Sequence, residues 1–142
     1  MRIAEILRNK GSAVQTVPPG TTVCELIGDF ARHNIGAMVV VDGTDVVGIV
    51  TERDVVRQLH ERGPSILVAT ASEVMTADVA MCLPTDSVDS LAETMTDRRI
   101  RHLPVVVDGQ LLGIVSIGDV VKSRIDELQA ERDQLRSYIH NG

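Results

Sequence analysis

Aromatic side chains are almost absent from this sequence. Phe30 and Tyr138 are the only two among 142 residues, and there is no tryptophan. A core built without them is aliphatic, and an aromatic stacking platform for single-stranded nucleic acid is excluded. Cysteine is equally sparse: Cys24 and Cys82 stand far apart and form no Cys-x-x-Cys. That argues against a disulfide framework or a zinc site, and for a reducing cytoplasm. No stretch approaches the roughly 18 consecutive apolar residues of a membrane span, and the N-terminus lacks a signal-peptide core. Basic charge is in deficit, with 14 Lys and Arg against 20 Asp and Glu, for a net charge of −6. The first 70 residues hold seven basic and eight acidic side chains, the remainder seven and twelve. Neither half is a basic module that would attract a phosphate backbone. These deficits predict a cytoplasmic protein with neither nucleic acid nor membrane as partner.

What is present is ordinary globular composition, 44% hydrophobic and 24% charged, which excludes a disordered chain. An internal repeat organises it. The 23-residue segment IGAMVVVDGTDVVGIVTERDVVR, from Ile35, returns as IRHLPVVVDGQLLGIVSIGDVVK, from Ile100, with nine identities at an offset of 65. The same offset pairs Pro19 with Pro84, Val23 with Val88 and Leu26 with Leu91. Upstream, Ala4-Glu5-Ile6-Leu7 matches Ser72-Glu73-Val74-Met75 at an offset of 68, so the first copy carries three extra residues. Units of about 60 residues bury little core alone, so two copies are expected to pack face to face. The division is 1–64 for the first unit, 65–124 for the second and 125–142 for a C-terminal helical extension.

Each copy reads alike. A short helix (Ile3 to Leu7; Ser72 to Met75, with Thr70 and Glu73 as a capping pair) leads to a brief strand (Ala13 to Val17; Val79 to Leu83). Val23, Leu26, Ile27 and Phe30, like Val88, Leu91, Ala92 and Met95, have helical spacing, and Thr22 with Glu25 forms a capping box. Two β-branched runs follow in each copy, split by turns at Asp42-Gly43-Thr44-Asp45 and Asp108-Gly109. Their continuous apolar character predicts strands buried on both faces. A helix then starts near Glu52 and near Ile117, and Arg62-Gly63-Pro64 stops the first before a linker. The fold class is therefore mixed α/β (α+β), two β-α-β-β-α units related by a pseudo-two-fold.

Gly48-Ile49-Val50-Thr51-Glu52-Arg53-Asp54, repeated as Gly113-Ile114-Val115-Ser116-Ile117-Gly118-Asp119, resembles the ending of the CBS domain. The tandem arrangement is similar to a CBS-domain pair, or Bateman module, over nearly the whole chain. The resemblance implies a regulatory module, not an enzyme. It implies an adenine-containing ligand in the cleft between the units: AMP first, with ADP, ATP, NAD or S-adenosylmethionine derivatives as alternatives. It also implies a homodimer and, with no other domain in the sequence, a regulated partner on a separate chain. The alternative is a structural or interaction protein with empty, degenerate clefts that acts through dimerisation.

The candidate ribose ligands are Asp119 with Ser116 and Asp54 with Thr51, since a carboxylate accepts from both vicinal hydroxyls. Helix capping by the same residues is an equally physical reading, and the two roles can coexist. Carried over from the family, phosphate falls to Arg101, His102 and Arg53. Arg forks hold phosphate well, and His102 gains a charge below about 6.5. Because Asp119 lies in the same copy as Arg101 and His102, the stronger site is expected there. Arg98 and Arg99 read as a solvated helix end. The adenine pocket is assigned to Thr76, Ala80, Met81 and Val105. His33, His60 and His140 have no partners at metal-ligand spacing, and Asp78, Asp86 and Asp89 read as solvated or capping groups. No catalytic or metal-binding residue is assigned. Ile125, Leu128, Arg132, Leu135 and Ile139 form a heptad-like stripe that suits a dimer, a partner or the chain's own body.

Overall fold

The structure, a computed structural model, describes residues 1–11 and 14–141. The first half contains α1 (Ile3–Lys10), β1 (Thr16–Val17), α2 (Val23–His33), β2 (Ala37–Asp42), β3 (Asp45–Thr51) and α3 (Glu52–Arg62). A 3-10 segment, Gly63–Val68, leads to α4 (Ala71–Val74), α5 (Val88–Arg98), β4 (His102–Val107), β5 (Gln110–Ser116) and α6 (Ile117–Asn141). In the first half β1 pairs parallel to β2, and β2 antiparallel to β3. In the second, β4 pairs antiparallel to β5 in the equivalent register. Ala37 to Val40 are all buried, as continuous apolar strands require.

The local chemistry ends most elements near where the sequence expects, although α1 runs to Lys10, three residues past Leu7. Thr22 Oγ1 accepts from the Glu25 N–H while the Glu25 carboxylate accepts from the Thr22 N–H. In α4 the Glu73 carboxylate accepts from the Thr70 N–H at 2.7 Å and from the Thr70 hydroxyl at 3.2 Å, while the Glu73 N–H bonds to the Thr70 carbonyl. Gly63, at φ 72°, closes α3. The segment after it is no loose linker, since Ile66 is fully buried in the first core.

The leading strands depart further. β1 shrinks to two residues, and Ala13 lies outside the described residues. Val79 to Leu83 forms no strand, only a single parallel bridge of Cys82 to Val105. Cys82 exchanges backbone bonds with Pro104 and Val106. On either side the chain turns away: the Asp86 carboxylate takes the Leu83 N–H, and Val79 N–H bonds back to Ala77. Desolvation pushes the buried Cys82 thiol up to about 12, leaving it an inert packing group.

The two halves interlock. Ile3 and Ile6 of α1 lie in the second core with Val88, Leu91, Leu103 and Val115. Ala71 and Val74 of α4 lie in the first with Val23, Leu26 and Phe30. The backbone anchors are pseudo-symmetric: Ala4 N–H to Pro84 O in one half, Ser72 N–H to Pro19 O in the other. The repeated motif glycines permit the exchange. A Cβ on Gly113 would sit 2.6 Å from Leu7 Cδ2; on Gly48 it would meet the Met75 side chain and lie 3.0 Å from the Thr76 carbonyl. α6 continues well past the body. Ile125, Leu128, Leu135 and Ile139 are each about half exposed or more, so the stripe is not covered by the chain itself. Among the described residues no helix is long and apolar enough to cross a membrane.

Candidate nucleotide cleft between the two halves

The interlocking leaves a cleft of about 420 Å³ between the halves. One wall is the β3–α3 junction of the first half. Thr51 ends β3 and caps α3: its Oγ1 accepts from the Asp54 N–H at 3.2 Å. Asp54 Oδ2 accepts in return from Thr51 N–H at 2.9 Å and Thr51 Oγ1 at 3.1 Å. The capping reading is therefore met, and the reciprocal bonds fix the carboxylate in place. Among the described residues Asp54 Oδ1 has no partner. Arg53 and, one helical turn on, Arg57 line the same wall.

The opposite wall is the α5–β4 junction of the second half. Arg98 ends α5, Arg99 terminates it in the left-handed conformation at φ 53°, and Ile100 and Arg101 lead to His102, the first residue of β4. All five line the cleft. The basic pair is thus both a helix end and part of the cleft. The floor is Ile49 with Thr76, Val79 and Ala80, held by reciprocal backbone bonds between Ile49 and Thr76 at 2.9 and 3.0 Å. Five guanidiniums face three carboxylates (Glu52, Asp54, Asp78), a local positive excess in a chain of net charge −6. Such a pocket selects an anion carrying an apolar ring.

His102 is half-buried beside Glu52 and Arg101. Desolvation, with help from Lys10 and Arg101, lowers its pKa below the ordinary 6.5, against the pull of Asp119 and Glu52. At neutral pH the imidazole is a neutral hydrogen-bonding group, and its charging moves to more acidic pH than the sequence suggests.

Of the expected site residues, Thr51, Asp54, Arg53, Arg101, His102, Thr76 and Ala80 come together here. Ser116 and Asp119 do not line this cleft. Around this cleft Arg101 stands with Asp54 of the other half and not with Asp119 of its own, because the cleft forms between the halves. Met81 is 45% exposed, and Val105 is sealed in the second core. Neither lines the cleft. Missing from the sequence reading were Ile49, Glu52, Val79, Ile100 and Arg57. Only Arg57 left a signal, lying four residues after Arg53 on one helix face. Ser116 and Asp119 form the equivalent capping pair on α6, with Ser116 N–H to Asp119 Oδ2 at 2.9 Å. Among the described residues no three His, Cys, Asp or Glu side chains gather to hold a metal ion.

Comparison with known proteins agrees with this geometry. The CBS domain family model matches twice, over residues 3–61 and 71–126. A mitochondrial CBS domain-containing protein of Arabidopsis thaliana is 33% identical over 99% of this chain and 72% of its own length. The crystal structure of a CBS-domain protein from Agrobacterium tumefaciens superposes with a TM-score of 0.85 at 42% identity, covering 87% of this chain and 99% of that one. A CBS domain protein from Pyrobaculum aerophilum, complexed with AMP, gives 0.73 at 29% identity, covering 84% and 89%. With both halves matched and the interlocked fold shared, the chain belongs to the CBS-domain family as a tandem pair.

Proposed function

We propose that this chain is a regulatory module that binds an adenine nucleotide in the cleft between its halves and signals to a separate partner protein. The observation that carries the reading is the facing of Asp54 and Thr51, from one half, by Arg101, Arg98 and Arg99 from the other. Asp54 Oδ1 accepts a ribose hydroxyl. Ile49, Val79, Ala80 and Ile100 enclose the base. The arginines hold the phosphate, and His102 adds a neutral donor. The relative crystallised with AMP supports the ligand class, and 420 Å³ falls within the range of about 300–1,000 Å³ usual for such pockets. AMP is the first candidate, with ATP or NAD as alternatives. The cationic S-adenosylmethionine suits five guanidiniums poorly. The module binds without turnover, works in the cytoplasm, and passes its signal as a homodimer whose contact includes the uncovered face of α6.

The test is a melting series with AMP, ATP, NAD, S-adenosylmethionine and adenosine. A ligand at 100 times its Kd stabilises by about 2.7 kcal/mol, which raises Tm by about 5–10 °C at this chain length. AMP, ATP or NAD shifts the curve and is recovered unchanged, while S-adenosylmethionine shifts it least. An unmoved curve with every nucleotide at millimolar concentration contradicts the reading.

A further inference from the structure

The two halves repeat each other, yet their equivalent carboxylates have different surroundings. Asp54 Oδ2 takes two donors, both from Thr51. Asp119 Oδ2 takes the same two from Ser116, at 2.9 and 3.1 Å, and a third from Lys10 Nζ at 2.7 Å. The same ammonium donates to the Ile114 carbonyl at 2.9 Å. In the open cleft the equivalent carbonyl, of Ile49, accepts instead from the Thr76 backbone N–H. A side-chain cation thus stands where the other half has a main-chain amide.

Lys10 reaches this place because of the three extra residues in the first copy. α1 has eight residues and α4 has four. Leu7 and Met75, the equivalent positions, pack on the equivalent glycines Gly113 and Gly48. After Met75 the chain leaves the helix to pair with Ile49; after Leu7 it adds a turn, Arg8-Asn9-Lys10, whose last residue meets Asp119.

We propose that Lys10 is an internal competitor that closes the cleft over Asp119, so that the native chain takes nucleotide in the Asp54 cleft alone. The Lys10 and Asp119 side chains are 34% and 21% exposed. The ammonium is held between Asp119 Oδ2 and the carbonyl of Ile114, the counterpart of Ile49 on the open cleft's floor. Among the described residues it leaves Oδ1 unbonded but fills the space from which a ribose would reach it. Its consistent signature is the Asp119 pKa. Burial pushes that value up, but bonds from Lys10 and Ser116 outweigh it and hold the carboxyl below its ordinary range. The inference rests on the nucleotide reading above for its probe, and its test separates the two.

The test is AMP stoichiometry by equilibrium dialysis for the native chain, Lys10→Ala and Lys10→Gln, with circular dichroism confirming the fold of each. The native chain binds one AMP. Both Lys10 variants bind two, and Lys10→Ala combined with Asp119→Ala returns to one. Two AMP on the native chain, or no added site in either variant, overturns the inference. If the native chain binds none while Lys10→Ala binds one, the closure by Lys10 stands and the reading of the Asp54 cleft fails. If the native chain and every variant bind one AMP, the Asp54 cleft stands and the closure by Lys10 fails.

Discussion

Asp54 and Asp119 occupy equivalent positions, cap equivalent helices and differ in what faces them. Asp54 faces the arginines of the other half; Asp119 faces Lys10. Asp54→Ala therefore weakens AMP binding about 10- to 100-fold, the loss of charge-assisted bonds worth about 1.5–3 kcal/mol. At pH 7.5 Asp119→Ala leaves affinity in the Asp54 cleft within about threefold, because His102, which feels the Asp119 charge, stays neutral when that charge is removed. Isothermal titration distinguishes them, and equal losses would show two equivalent sites. His102 yields a second prediction. Its folded pKa lies below 6.5, so on acidification the unfolded chain takes up this proton first. Below about pH 6.5 the unfolded state binds more protons there, and stability falls with pH. His102→Gln removes that contribution. Urea midpoints at pH 7.5 and 5.5 should drop less for the variant than for the native chain; an equal drop would show that His102 titrates alike in both states.

At the scale of elements, the exchanged helices hold the module together and the motif glycines let them approach. Gly48→Ala directs a methyl into the Met75 side chain and to 3.0 Å from the Thr76 carbonyl. Because Thr76 is backbone-paired to Ile49 on the cleft floor, the floor must shift. The expected cost is about 1–3 kcal/mol, read by urea unfolding, with weakened AMP binding alongside. Gly113→Ala meets only the end of the Leu7 side chain and costs less; the opposite order would place the strain elsewhere. The exposed stripe of α6 yields a separate test. Removing residues 128–142 leaves the melting temperature of the monomer, read at a concentration too low for self-association, within about 2 °C, since residues 131–141 are exposed throughout, a loss typical of surface changes. Sedimentation should then show weaker self-association than in the full chain; unchanged self-association would place the dimer contact elsewhere.

In the whole molecule, the repeat made most of the fold legible. Helices, hairpins and caps follow local rules, and Thr22–Glu25 or Asp108-Gly109 state theirs in a few residues. What was not legible is what depends on the exchange between halves. Val79–Leu83 carries an apolar strand-like run, yet the chain turns at both ends and pairs only at Cys82. Asp119 shares a copy with Arg101, but partnership in the cleft is set by the interface between copies, which periodicity does not encode. Lys10 reads as a helix-terminal lysine until α1 is placed across β5. The central claim is that one ligand bridges the halves, its ribose on Asp54 and its phosphate on Arg101. The most direct measurement is the affinity of AMP and of adenosine for the native chain, Arg101→Ala and Asp54→Ala. Arg101→Ala should weaken AMP at least about tenfold, as loss of a charge-assisted bond does, and leave adenosine unchanged. Asp54→Ala should weaken both. Equal effects of Arg101→Ala on the two ligands, a phosphate coupling of zero, would place Arg101 outside the site and contradict a ligand held between the halves.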